Sequence, residues 1–476
     1  MSLKDTAYRF KEFWDDFRRE KAGLVGLGIL LFCLLVVIFE PVFLPYKDVN
    51  GNWRNISYWE DNTRAAPPVW TNLFSAKKSA VTVQIDEALV KEEFTKSERY
   101  PAGIDMRVYS FEYEYKYDLA PVDIILRTVA DGNINMDIDV IRPDGQVVYV
   151  GSYTESGMQN TSLRFSIDTE GRSNVMNFVR ERSSEFGINM SNTIGVRPTN
   201  IIFSELASDM FRARTPLKGT YTIRAKVPMT TLNVAGNNVD DVMLVVSGRV
   251  SGILGTDTSK RDLFSGIIAG LKWALFIGLI TSIISVLIGV MYGIISAYFG
   301  GFVDTSMSFI WEIFVSVPVL PVLIVMSAIF KPSIWIIIAS LIVFSWVGPV
   351  KTVRSMALQM KEETYIEAAK ALGAGKWRII FKHLAPLLLP YSFANMALAV
   401  PSTIIFEASL SLLGLGDPTI ITWGQILHDA QSSGATLNGL WWWIVPPGLF
   451  IAVMGMTFAF LGFAMDKILH PKLRTR

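Results

Sequence analysis

The feature that most constrains this chain is the placement of its apolar blocks. One long apolar run covers residues 22–44, five more follow at 264–297, 305–330, 334–350, 386–413 and 442–465, and the interval 46–252 contains none. A helix needs about 20 apolar residues to cross a hydrocarbon core of roughly 30 Å. The blocks therefore predict six transmembrane helices, and the interval predicts a water-exposed domain inserted between the first and the second. Composition agrees with two environments in one chain. Of 476 residues, 51% are hydrophobic and 18% charged, too apolar for an ordinary soluble protein and too charged for a wholly embedded one.

The first run is longer than a signal-peptide core and no small-residue cleavage site follows it, so it is expected to persist as an anchor. Orientation follows from the basic residues. Lys351, Arg354, Lys361, Lys370, Lys376, Arg378 and Lys382 lie between the fourth and fifth blocks, whereas 414–440 has acidic residues and no Lys or Arg. The positive-inside rule places the first of these loops and the basic C-terminal tail in the cytoplasm. An even number of spans then puts the N-terminus there too. The expected layout is a cytoplasmic segment 1–21, helix 1 at 22–45, an extracytoplasmic domain 46–252, a membrane core 253–466 with a cytoplasmic loop at about 351–385, and a cytoplasmic tail 467–476.

Within the inserted interval, MDIDVIRPDGQVVYVGS alternates with period two around a Pro-Asp-Gly turn, and KGTYTIRAKVP and DDVMLVVSGRV are rich in β-branched residues. These predict a β-rich, sandwich-like domain. NVMNFVRERSSEFGI and IIFSELASDMFRAR are expected to be helical. Asn55, Asn160 and Asn189 stand in N-x-S/T sequons, which matter only in a glycosylating host. The interval has no His or Cys, which weakens an enzymatic reading, although carboxylates, Ser and Lys remain. Cys33 is the chain's only cysteine and its three histidines are scattered, so neither an intrachain disulfide nor a metal site is expected. A net charge of +1 offers no basic footprint for nucleic acid.

The most specific segment is EAAKALGAGKWRIIFKHLAP, 367–386. Ala368, Ala369 and Gly373 permit close backbone approach at a helical turn, and Pro386 suits the start of a new helix. A purely topogenic loop explains the charges but not the small residues. Glu-Ala-Ala, Gly373 and Pro386 together resemble the EAA motif of ABC importer permeases, whose loop forms a coupling helix seated in a groove of the ATPase. The resemblance implies that Glu367, Ala368, Ala369 and Gly373, with Pro386 closing the motif, couple this chain to an ATPase. His383 and Ala385 replace the family's Ile and Leu.

EASLSLLGLGDPTIITWGQIL, 407–427, resembles the C-type permease of the dipeptide/oligopeptide/nickel branch. Glu407 is costly against lipid, so with Ser409 it is expected to face the pathway or a partner, or else to make a buried structural hydrogen bond. Gly414 and Gly416, with Pro418, are expected to break the helix at its outer end, against protein or a wet cavity, which makes both glycines candidates for the pathway or a partner contact. GTDTSKRDLFSGIIAGLKWAL, 255–275, resembles the family's lead into its second helix. Asp257, Arg261 and Asp262 are expected at the outer interface, as an anchor rather than a substrate contact, with Lys272 snorkelling outward. Lys260 stands where the family has glycine, so a different local turn is expected. Trp441, Trp442 and Trp443 suit an aromatic belt.

The fold class that follows is a polytopic α-helical membrane protein with the ABC importer permease fold, carrying a large β-rich extracytoplasmic domain between helices 1 and 2. The resemblance implies a cell-membrane permease subunit, not itself an enzyme, that pairs with a homologous B-type permease. Two ATPase subunits binding ATP and Mg would drive it, and an extracytoplasmic substrate-binding protein would deliver cargo. The chain has no Walker A sequence, so no cofactor is expected on it. Di- and oligopeptides are the implied cargo, with oligosaccharides or nickel as alternatives. The resemblance does not reach 46–252, which could dock the binding protein, brace the partner permease or protect the external mouth. Two rivals differ in kind. A secondary transporter would show inverted repeats or paired intramembrane charges, and a membrane-anchored sensor or enzyme would act through the external domain.

Overall fold

The computed structural model describes residues 13–156 and 161–469. The first twelve residues, the sequon at Asn160 and the tail beyond 469 lie outside the described residues. The chain divides into two units, Met1–Arg54 with Ser265–Arg476, and Asn55–Phe264.

The second unit begins and ends later than the interval 46–252. Its last stretch is bonded to its own first one: Ala65 N–H donates to Asp257 O and Thr256 N–H to Ala66 O, both at 2.8 Å. The Thr256 hydroxyl adds a bond to Thr63 O at 2.5 Å. The described strands are β1 Val83–Ile85, β2 Leu89–Thr95, β3 Ile104–Tyr115, β4 Asp123–Asp131, β5 Asn133–Ile141, β6 Val147–Ser156, β7 Thr161–Arg164, β8 Gly219–Pro228 and β9 Asn238–Ser247. They form two antiparallel sheets, ordered β1-β9-β4-β7 and β2-β3-β8-β5-β6. Ile124 and Leu126 of β4 and Leu244 and Val246 of β9 share one core with Ile138, Val140, Tyr221 and Ile223 of the other sheet. Period-two alternation sends β8 side chains Arg224 and Lys226 to the opposite face, where both pair with Asp139 of β5.

The Pro-Asp-Gly turn joins β5 to β6 as its sequence predicts, with Gly145 at φ +80° and Arg142 N–H bonded to Gln146 O at 2.9 Å. The helix Thr169–Arg182 is capped by the Asp168 carboxylate, which accepts from Gly171 N–H, and it buries Val175, Phe178 and Val179. The expected second helix fails. Only Pro198–Ile202 is helical; after it the chain turns back, Ser204 bridges Pro216, and Glu205 N–H donates to Thr215 O at 2.9 Å. The buried guanidinium of Arg142 occupies the carbonyls of Ile201 and Ser204, which a continuing helix would need.

In the other unit we label α1 Lys21–Ile38, α2 Leu263–Phe299, α3 Gly301–Ser316, α4 Val319–Ile329, α5 Ile334–Ser345, α6 Val347–Lys361, α7 Thr364–Ala371, α8 Lys376–Ile379, α9 Ala385–Leu412, α10 Trp423–Ser432 and α11 Trp441–Leu469. Among the described residues five helical stretches are long and apolar enough to cross a membrane, or six if one bent pair counts as a span. That pair is α3 with α4, bent by 74° within the block 305–330 that is expected as one transmembrane helix. Pro318 is the cause, since it pushes Val317 to an extended conformation (φ −75°, ψ 122°). Close packing depends on small residues. A Cβ at Gly289 would lie 2.3 Å from Trp346 O, and one at Gly293 2.8 Å from Val350 O, so this G-x-x-x-G face of α2 lets the backbone of α6 approach.

Candidate functional site: an anchored helical hairpin

Residues 362–386 form a hairpin standing on a small core. Ile366 of α7 is fully buried with Val290, Ile294 and Ala297 of α2, Val353 and Ala357 of α6, and Ile379 and Ile380. This one apolar contact fixes which way α7 faces. Glu367 and Ala368 then lie exposed and Ala369 half-buried. Gly373 closes α7 in the left-handed region at φ +81°. Its N–H donates to Lys370 O at 2.9 Å, and Ala374 N–H donates to Ala369 O at 3.0 Å, the bond pair of a Schellman turn. Lys351 and Arg354, at the start of the expected cytoplasmic loop, lie on α6, which runs to Lys361. Arg354 forms a two-bond pair with Asp304 at 2.6 and 2.5 Å, tying α6 to the first turn of α3.

Large apolar side chains surround this turn: Leu372 is 89% exposed, Phe381 58% and Trp377 54%. On a segment so firmly anchored, they form a surface of the kind that partner proteins cover. A π-helical turn, Ile380–Leu384, connects α8 to α9 just before Pro386. Pro386 has no N–H to continue the i→i−4 ladder, and the wide turn takes up the mismatch. Pro386 itself is exposed.

Glu407 lies in the second half of α9 and is buried. The Ser411 hydroxyl donates to its carboxylate at 2.7 Å, and the Thr422 hydroxyl bonds to it as well. Thr422 is the N-cap of α10, accepting from Gln425 N–H at 3.1 Å. Glu407 thus joins α9 to α10. Ser409 points away, exposed, donating to Ile405 O at 2.7 Å. α9 ends at Leu412 in a second Schellman turn, with Gly414 at φ +81°. Gly416 lies so close to Ser411 that a Cβ would sit 2.3 Å from its hydroxyl oxygen.

Residues 289–475 match the family model described as the binding-protein-dependent transport system inner membrane component, and 9–68 match the N-terminal TM domain of oligopeptide transport permease C. The dipeptide transport system permease protein DppC of Bacillus subtilis is 37% identical over 221 residues, covering 46% of this chain and 68% of that one. OppC, the oligopeptide counterpart in the same organism, is 34% identical over 46% of this chain and 72% of its own. The chain belongs to this permease family. A glutathione transport system permease protein, GsiD of Pectobacterium atrosepticum, is 30% identical over 47% of this chain and 73% of its own. Among solved structures, the inward-facing MetNI methionine ABC transporter covers 44% of this chain at 20% identity, with a TM-score of only 0.34.

The permease is a multi-pass membrane protein, and neither family model covers 69–288. The GTDTSKRD segment belongs to the β-rich unit. There Asp257, Arg261 and Asp262 are all buried, not spread on a surface as an interfacial anchor would be. Asp257 accepts from the N–H groups of Ser259 and Arg261 at 2.8 and 2.9 Å and from Arg261 Nε at 2.5 Å. Lys260 adopts φ +67°, the conformation that glycine takes without strain. Lys272 does not snorkel free; its ammonium lies 3.2 Å from Glu40 beyond the end of α1. Of the three tryptophans, only Trp441 is exposed. Sequence reasoning missed the Gly289/Gly293 face, although its spacing is plain in GVMYG, and it missed the Asp304–Arg354 pair, which joins residues fifty apart.

Proposed function

We propose that this chain is one of two permease subunits of an ATP-driven importer of short peptides. The observation that carries the proposal is the hairpin of α7 and α8, anchored by Ile366 and presenting Glu367, Ala368, Gly373 and Leu372 outward. In this reading it seats in a groove of the ATPase, with Ala369 and Gly373 allowing close approach and Leu372 and Trp377 as apolar anchors. Closure of the ATPases displaces α7, and Ile366 passes the displacement to α2 and α6, switching the permease between discrete packings. ATP and Mg stay on two partner subunits. A homologous B-type permease lines the rest of the path, and an extracytoplasmic binding protein delivers cargo.

The bent pair α3 and α4 counts as one span, making six, with the termini and the hairpin cytoplasmic and the unit Asn55–Phe264 outside. Glu407, satisfied by two hydroxyl groups, serves as polar glue between α9 and α10 rather than as a cargo contact. The names of the relatives favour peptides over oligosaccharides or nickel. The test is ATP hydrolysis by the complex co-purified from native membranes and reconstituted with its binding protein. Stimulation by di- or tripeptides is expected. Stimulation by Ni²⁺ or a maltodextrin alone would overturn the cargo, and purification of an active chain without ATPases would overturn the permease reading.

A further inference from the structure

One end of the β-sandwich holds a cavity of about 170 Å³ that none of the transport machinery accounts for. A single buried water needs only about 10–15 Å³ of such space, so the cavity has room for a polyatomic guest. Its wall includes Lys77, Arg214 and Arg249, and one carboxylate, Asp118. That carboxylate is already engaged, by Lys218 Nζ at 2.7 Å and by Lys78 N–H at 2.8 Å. The Arg249 side chain makes one hydrogen bond among the described residues, from Nε to Ala120 O at 2.9 Å, which leaves its terminal N–H groups available to a guest. Neither Lys77 nor Arg214 forms an ion pair among the described residues. Burial first, and then repulsion from Arg197 and Arg214, pushes the Arg249 guanidinium below its ordinary value. An arginine cannot shed its proton to relieve this, so the charge stays.

Two further observations point to a ligand. Tyr115, 1% exposed, lines the cavity, and its hydroxyl has no hydrogen-bond partner among the described residues. Burial holds that phenol neutral, so it is a donor awaiting an acceptor. Arg214 sits in the left-handed region at φ +51°, a conformation that strains a side-chain-bearing residue. Such strain clusters at ligand clamps.

We propose that this cavity binds a phosphate group, either free phosphate or the phosphodiester of a lipid headgroup, through Arg214, Arg249, Lys77 and the Tyr115 hydroxyl. A multivalent oxyanion answers three cations facing one carboxylate that is already paired, and it supplies the acceptor that Tyr115 lacks.

The full-length permease in detergent is titrated with inorganic phosphate, followed by isothermal calorimetry and thermal unfolding, with sodium chloride at matched ionic strength as the control. A second arm compares nanodiscs of phosphatidylcholine with nanodiscs containing phosphatidylglycerol. Phosphate should bind and raise the unfolding temperature beyond the chloride control. R214Q, at an exposed position, should weaken it about tenfold, equivalent to about 1.4 kcal/mol. Y115F, which keeps the ring, should weaken it severalfold. If phosphatidylglycerol alone stabilises the protein, and R214Q abolishes the difference between nanodiscs, the headgroup is the source; if free phosphate acts in phosphatidylcholine nanodiscs, the free ion is. The proposal is overturned if neither phosphate nor phosphatidylglycerol acts beyond the chloride control, or if both variants respond as the parent does.

Discussion

Replacing Gly373 with valine should uncouple ATP hydrolysis from transport while leaving the membrane core folded. Gly373 closes α7 at φ +81°, where the N–H groups of Gly373 and Ala374 bond back to Lys370 and Ala369. A residue with a Cβ pays about 1–2 kcal/mol in the left-handed region, and a β-branched one falls at the upper end. Apart from its chain neighbours, no atom of the described residues lies within 4 Å of the position that a Cβ would take, so the penalty is one of backbone conformation. Since 1.4 kcal/mol is a factor of ten, the closed turn would lose about 5- to 30-fold in population against opened forms. Ile366 remains buried, so the effect stays in the hairpin. The assay is cargo-stimulated ATP hydrolysis and peptide uptake in proteoliposomes, beside thermal unfolding of the subunit. G373V should lose stimulation at unchanged unfolding temperature, and G373N should recover most of it because asparagine tolerates this conformation. Full coupling in G373V would refute the reasoning.

Three other outcomes follow from buried polar groups. E407A should lower thermal stability by leaving the Ser411 and Thr422 hydroxyls without their acceptor, at about 1–3 kcal/mol each, while E407Q costs less; peptide uptake by E407Q should persist. D139A leaves Arg224 and Lys226 without their shared carboxylate, with Lys226 only 2% exposed, and should cost the β-rich unit about 3–5 kcal/mol, read as faster hydrogen exchange in β5 and β8. Burial raises the Asp123 carboxyl above its ordinary value, against the bonds from Ser166 and Ile124. A raised folded-state value means that the folded chain holds the proton more tightly. This contribution is therefore fully present below the ordinary carboxylate value and is lost as pH rises through the raised one. Thermal unfolding across mildly acidic pH should show that loss, and D123N should flatten it.

What the sequence disclosed tracks how local the cause is. The Pro-Asp-Gly hairpin and the helix expected over 174–188 depend on residues within one turn or one face; the hairpin could be read directly, and the helix in part, since it starts at Thr169 and stops at Arg182. IIFSELASDMFRAR could not, because the carbonyls at Ile201 and Ser204 are taken by Arg142, some sixty residues away. The β-rich unit runs to Phe264, twelve residues past the expected 252, for the same reason: Thr256 and Asp257 pair with Ala66 and Ala65 across the whole domain. The kink before α4 is a local effect, visible in Ser-Val-Pro-Val, but apolarity alone does not register it. At the hairpin, the motif named Glu367, Ala368, Ala369 and Gly373, whereas the exposed Leu372 and Trp377 became significant only once Ile366 was seen to hold the helix in place. Glu407 was readable as costly; that two hydroxyls satisfy it, one from α9 and one from the cap of α10, required the fold.

The coupling claim is tested most directly by site-specific cross-linking. Cys33 is the only native cysteine, so C33S provides a cysteine-free permease into which L372C or E367C is introduced. Assembled with its ATPases in native membranes and labelled at the introduced thiol with benzophenone-4-maleimide, each should yield on illumination a permease–ATPase adduct whose amount changes on adding ATP. S75C, exposed in the β-rich unit, should yield none. Adducts from S75C with none from positions 367 and 372 would contradict both the coupling role of the hairpin and the orientation of the chain.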